Sequence, residues 1–296
     1  MAALAPLKVP SIYPSLMLRR GHGYPLWLPE PISNLPPDCV RHGTQIGDLG
    51  YLADNGGFDY LFNVLKDAED PDNLSVPPGF VPLKMDPGIR EELEFHDKNS
   101  MVTMSGVEQR SAGVFFKSTS SITRGAVLTL PDGAERYDCE HPGILGEYAA
   151  ANAHSWYKYY NGKDQGMAIR NGTLYLVTGC DKARSWSAKR YAHSSASTFA
   201  LARIFHYRKE RHLVSGVDER SHEREMTPDA RANQTIFLRG YSISVRTKNW
   251  MLGNRDVFPY QYSSLWTGKE HPDGRPSASV NDYSWRLLWC HCCGHS

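Results

Sequence analysis

The chain has 296 residues, 41% hydrophobic and 22% charged, enough for one large or two modest domains around a real core. No run of about 18 apolar residues occurs, which excludes a membrane-spanning helix, and MAALAPLKVPSIYPSLMLRR is too broken by proline for a secretory signal. The net charge of +1 hides an asymmetry: residues 1–180 hold 15 Lys and Arg against 21 Asp and Glu, residues 181–255 hold 15 against 7, and residues 256–296 hold 3 against 4.

Eight prolines fall within residues 1–37. Proline lacks the backbone N–H and resists helix and central-strand geometry, so residues 1–43 read as an extended arm held down by Tyr24, Leu26, Trp27 and Leu28. From Thr44 the pattern becomes β. Two apolar runs, near 44–52 and 58–65, flank Asp54-Asn55-Gly56-Gly57, a hairpin signal because Asn and Gly tolerate positive φ. KDAEDPDNLSVPPGF reads as a loop, and EELEFHD, SMVTMSGVEQR, AGVFFKSTSS and GAVLTLPDG as short antiparallel strands.

Pro142-Gly143 open the best helix, near 143–160, with Leu145, Tyr148, Ala149, Asn152, Trp156 and Tyr159 at three- and four-residue steps, and Asn161-Gly162 end it. LYLVTG, Leu174 to Gly179, is almost continuously apolar, as a central strand covered on both faces should be. SASTFALARIFHYR continues as β, KERHLVSGVDERSHEREMTPDAR is dense in charge and reads as a mobile excursion, and NQTIFLRGYSISVRT returns to strand. Residues 44–255 are therefore expected to form one α+β domain, an extended, twisted, mostly antiparallel sheet with a packed helix, and residues 256–296 a tail.

Six cysteines, Cys39, Cys139, Cys180, Cys290, Cys292 and Cys293, lack the even spacing of a secreted disulfide framework, so a reduced, cytoplasmic protein is expected. The sequons at Asn73, Asn171 and Asn233 carry little weight in that setting. The tail WCHCCGHS has zinc-ligand chemistry but no second knuckle, and no metal site is assigned. His96-Asp97 and His154-Ser155 read as capping and packing residues rather than fragments of a site. No HExxH, GxSxG, phosphate-binding or dinucleotide-binding motif occurs, so neither an enzyme nor a cofactor is expected. The surplus of +8 over residues 181–255 points to an anionic partner, against the plainer reading of a solvated face rich in Arg. Trp186, Tyr191 and Phe205 offer stacking surfaces, but no paired aromatic motif or recognition helix supports nucleic acid.

GDLGYLADNGGFDYLFNV, SITRGAVLTLPDGA, SWYKYYNG and LYLVTGCDKARSW are similar to segments of uncharacterised proteins of mushroom-forming fungi, across roughly residues 43–186; no known function comes with that likeness. The order of elements in residues 91–246 resembles the pore-forming N-terminal domain of gasdermins: the EFHD strand, amphipathic strands at 101–121, a helix, LYLVTG, a basic connection and QTIFLRGYSISV. That resemblance implies a central hub at Leu174–Gly179, spanning strands at 101–110, 112–121, 195–205 and 234–246, and homo-oligomers recruited to membranes. It also implies a surface for acidic lipids beginning at Lys182, Arg184, Lys189 and Arg190. The chain departs from the family in its Pro-rich arm, which stands where the family has a lipid-binding helix, in having only a short stretch after the last strand where the family has a large repressor, and in Arg203 and Arg239, which interrupt candidate spanning strands. Two other readings stay open: a non-enzymatic binding protein of unknown ligand, and an enzyme whose site has no recognised motif.

Overall fold

A computed structural model describes residues 9–84, 86–103, 107–110, 113–116, 123–193, 199–202, 217–223, 231–248 and 254–261. The N-terminal arm is more structured than its prolines imply. Helix α1 (Val9–Met17) forms despite Pro14, followed by a 3-10 turn, and strand β1 (Tyr24–Pro25) pairs with a strand far along the chain. Tyr13 and Met17 lie one helical turn apart and are both fully buried, so packing outweighs the lost hydrogen bond. Leu26 and Trp27 are buried as expected.

Helix α2 (Pro37–His42) leads into β2 (Asp48–Leu52) and β3 (Phe58–Asn63). The turn between them closes with Ala53 N donating to Gly57 O at 3.0 Å and Gly57 N to Asn55 Oδ1 at 2.9 Å, as the Asp-Asn-Gly-Gly signal anticipates. Next come β4 (Ile89–His96), β5 (Ser100–Thr103), β6 (Val107–Arg110), β7 (Gly113–Phe116), β8 (Thr123–Leu130) and β9 (Ala134–Cys139). Helix α3 (Pro142–Tyr160) follows, then β10 (Leu174–Ala183), β11 (Trp186–His193), β12 (Phe199–Ala202), β13 (Val217–His222), β14 (Gln234–Lys248) and β15 (Asn254–Gln261).

The fold is α+β with mostly antiparallel sheets and a packed helix. Strand β10 is the hub, with every residue buried; it pairs with β14 along one edge and with β2 and then β9 along the other. Leu174 and Leu176 face α3, in a core with Leu49, Phe62, Leu145, Trp156 and Ile243, while Tyr175 and Val177 pack with Leu26, Phe58 and Leu238 on the other face. The buried stripe of α3 runs through Leu145, Ala149, Ala153, Trp156 and Tyr160; Tyr148, Asn152 and Tyr159 sit at its margin, a rotation of the expected face. Gly146 lies on that buried side, where a side chain would collide with the Tyr241 ring and hold the helix off the sheet.

Three boundaries shift. Strand β15 pairs with β14 from Tyr241↔Gln261 to Lys248↔Asn254, so the limit drawn at residue 255 falls inside a strand. The arm is built into the body through β1 and α1, so residues 9–43 are not a separate segment. The charged excursion contains β13, whose register places Glu219 opposite Lys189 and Asp218 opposite Arg190; cross-strand ion pairs stabilise a segment with little apolar pattern. Arg203 and the Cys290–His295 cluster lie outside the described residues.

Candidate functional site at the roots of two hairpins

Strands β5 and β8 pair from Ser100↔Leu130 to Thr103↔Val127, and β6 and β7 from Val107↔Phe116 to Arg110↔Gly113, the nested pattern of one hairpin. Strand β11 pairs with β13 and also with β8, from Ser187↔Thr129 to His193↔Thr123. A separate three-stranded sheet, β12-β7-β6, sets the chain neighbours of β11, β8 and β5 in the same order as the four-stranded sheet β13-β11-β8-β5. Two hairpins therefore lie side by side, with β5 and β13 as the outer strands of the four-stranded sheet. Where described, the expected spanning segments at 101–110 and 112–121 fall on β5, β6 and β7, and 195–205 on β12. Residues 234–246 do not: β14 is held in the central sheet by β10 and β15.

Each strand at the base of these hairpins sends one side chain to a common buried cluster. His96 ends β4, Arg136 is on β9, Asp181 is near the end of β10 and Arg239 is on β14. Asp181 is fully buried. It accepts from Arg136 Nε and Nη2 at 2.8 Å each, from Arg239 Nη1 at 2.8 Å, and faces His96 Nε2 at 3.2 Å. Arg239 also pairs with Asp138 and donates to the carbonyls of His22, at 2.8 Å, and Tyr137, at 3.2 Å. From the arm, the His22 ring lies 4.9 Å from His96, with Nδ1 3.3 Å from Arg136 Nη2. The Arg136 guanidinium covers the Phe95 ring at 3.4 Å.

Burial works against the Asp181 charge, but the hydrogen bond from Arg136, the charge of Arg239 and the contact with His96 overcome it and hold its carboxyl below the usual range. Burial, then the neighbouring His96, pushes His22 down to about 4; Arg136 and Arg20 add to this and Asp181 opposes it. His22, His96 and Asp181 bring their donor atoms within 4.8 Å of one another, a spacing that suits a metal ion. The donor set does not fit one, because two guanidinium groups already hold both Asp181 oxygens and a dication would sit against them.

The four cations expected to face lipid do not form one open surface. Lys189 pairs with Glu219 at 2.7 Å and Arg190 with Asp218, both within the hairpin sheet. Arg184 Nη2 lies 2.9 Å from Glu135 Oε1. Lys182 is buried, donates to His42 O at 2.7 Å, and points with Arg184 into a cleft on the opposite face of β10 from Asp181. Arg239, a costly residue if it faced lipid, is instead consumed by buried ion pairs. His96, read as packing, is a member of the root cluster, whereas His154 and Asp97 are exposed. The sequence reading missed His22, Arg136, Asp138 and Asp181, and only the strand assignments for β9 and β14 would have aligned them.

No protein-family model matches this chain, and no curated protein matches it. Among the described residues, no helix is long and apolar enough to cross a membrane.

Proposed function

We propose that this chain is a membrane-acting protein that inserts its two hairpins into a bilayer and assembles with copies of itself into a pore, in the manner of the gasdermin pore-forming domain it resembles. The observation that supports this reading is the pair of antiparallel hairpins laid side by side in the order β13-β11-β8-β5. Inside a bilayer every backbone N–H and C=O needs a partner, which leaves helices and closed barrels as spanning structures. A chain that crosses with strands needs hairpins of about 9–11 residues per strand and two edges that pair with neighbouring copies. Strands β5 and β13 supply such edges.

The buried cluster gives the hairpins a common root: Asp181 ties side chains of β4, β9 and β14 to β10 where the hairpins begin. Recruitment rests on the surplus of cations in residues 181–255, which favours acidic leaflets. The test is dye release from vesicles of phosphatidylcholine with and without phosphatidylserine, for the wild type and for Asp181→Asn. Release confined to acidic vesicles and faster in the variant supports the reading. No release by either protein at any pH or salt concentration overturns it.

A further inference from the structure

We infer that the cleft beside Lys182 is a binding site for a small phosphate monoester. The cleft encloses about 570 Å3 between the end of α2, strands β4, β9 and β10, and the approach to β14, within the size range of small-molecule sites. Its cations are Lys182, Arg184 and Arg231, and its anions Glu91 and Glu135.

Glu135 is already satisfied: Arg184 lies 2.9 Å from one oxygen and the Tyr137 hydroxyl donates to the other at 2.7 Å. Lys182 is not. Its residue exposure is 7%, its ammonium donates to His42 O and lies 5.1 Å from the Tyr137 ring, and it forms no ion pair with any described carboxylate. Arg184 Nε is buried without a hydrogen-bond partner among the described residues. Arg231 also forms no ion pair among them and is exposed.

A buried ammonium whose charge reaches the buried Asp48 without an ion-pair contact is costly in an ordinary interior. Here it lines an open space beside Arg231 and the Arg184 Nε–H, neither of which has a partner among the described residues. Lys182, Arg184 and Arg231 outnumber Glu91 and Glu135 in the lining, an excess of positive charge that suits a phosphate monoester, which accepts hydrogen bonds at three oxygens. The neighbouring Ile46, Ile89 and Cys180 would hold the ester's carbon portion. This site does not depend on hairpin insertion, since the cleft lies in the central sheet.

The test is calorimetric titration of the full chain with inorganic phosphate and with glycerol phosphate, alongside flotation with phosphatidylcholine vesicles containing phosphatidic acid. Wild-type protein should bind the soluble phosphates. Lys182→Met should weaken binding about tenfold or more, and Arg231→Gln severalfold, as expected for lost charge-assisted contacts. Lys189→Gln, outside the cleft, should leave binding unchanged. Lys182→Met removes the hydrogen bond to His42 O, so its folding is checked by its ligand-free melting temperature; if that variant does not fold, Arg231→Gln carries the test. Binding of the phosphatidic acid vesicles alone, lost in the same two variants, assigns the site to a lipid headgroup. Absence of binding to all three probes, or equal binding by wild type and both variants, overturns the site. Dye release is scored separately, so failure here leaves the membrane reading standing.

Discussion

Arg239 of β14 and Asp138 of β9 form an ion pair across the strand between them, over the bare α-carbon of Gly179. Gly179 is opposite Arg239 in one register and opposite Asp138 in the other, and a Cβ there would collide with the Asp138 carboxylate and the Arg239 guanidinium. Gly179→Ala should therefore lower stability by about 3 kcal/mol, combining overpacking with a displaced buried pair. Urea unfolding followed by tryptophan fluorescence would measure the loss.

Asp181→Asn removes the one carboxylate that both guanidinium groups share and leaves Arg136 without a counter-ion among the described residues, while Arg239 keeps Asp138. The expected loss is about 3–5 kcal/mol. Asp54→Asn breaks a pair with Arg170 in which both side chains are largely exposed, and should leave the urea midpoint unchanged. Equal midpoints for the two variants would remove the cluster from any role in holding the fold.

Acid should loosen the roots through His22. Its folded value, about 4, lies below the ordinary histidine value of 6.5, so between these limits the unfolded chain binds more protons and stability falls as pH falls. The Asp181 shift has the same sign and adds its loss at still lower pH. The charged groups that His22 meets are His96, Asp181, Arg136 and Arg20, with Arg239 on its carbonyl. His22→Phe should flatten the melting curve from pH 6.5 to 4 by on the order of 2 kcal/mol.

Asp48 acts in the opposite direction. It is buried, accepts from Gln45 N and Asn63 Nδ2 at 2.7 Å each, and burial raises it to about 7 against the pull of these bonds and of Lys182 and Lys66. A raised carboxyl favours the protonated folded form, so its contribution is complete below the ordinary aspartate value of 3.8 and is lost as pH rises through about 7. Asp48→Asn should be relatively more stable at pH 8 than at pH 5, read from paired melting curves.

Val177→Asp should yield no soluble protein. Val177 is fully buried in the hub strand, and an unpaired carboxylate there costs several kcal/mol. Normal yield with an unchanged melting temperature would show that the hub tolerates charge.

The hub and the β2–β3 hairpin were legible because each has a local signature, an unbroken apolar run or an Asn-Gly turn between apolar runs. Strands β9 and β13 were not, because AERYDC and VDERSH carry charges that become interior or paired only beside a partner strand. The root cluster was invisible for a related reason. Arg136 is 45 residues from Asp181, His96 is 85 from it, and His22 is 114 from Arg136, and no spacing rule links positions that meet only through sheet register. Lys182 was assigned to a lipid-facing surface, since charge counts are blind to the alternation that turns it into a cleft and Asp181 into the cluster.

The N-terminal helix covers the hairpin sheet imperfectly. Tyr13 and Met17 share a core with Leu128, Leu130 and Trp186, yet the Tyr13 hydroxyl and the Trp186 indole N–H are buried there without hydrogen-bond partners among the described residues. Each such orphan costs about 1–3 kcal/mol, so this seam adheres less strongly than its apolar area implies. Peeling the helix away would wet those two polar atoms and bare Leu128 and Trp186 together. The uncovered sheet would then be drawn towards any surface that shelters hydrocarbon while leaving an indole N–H near water, which is the environment at the edge of a bilayer.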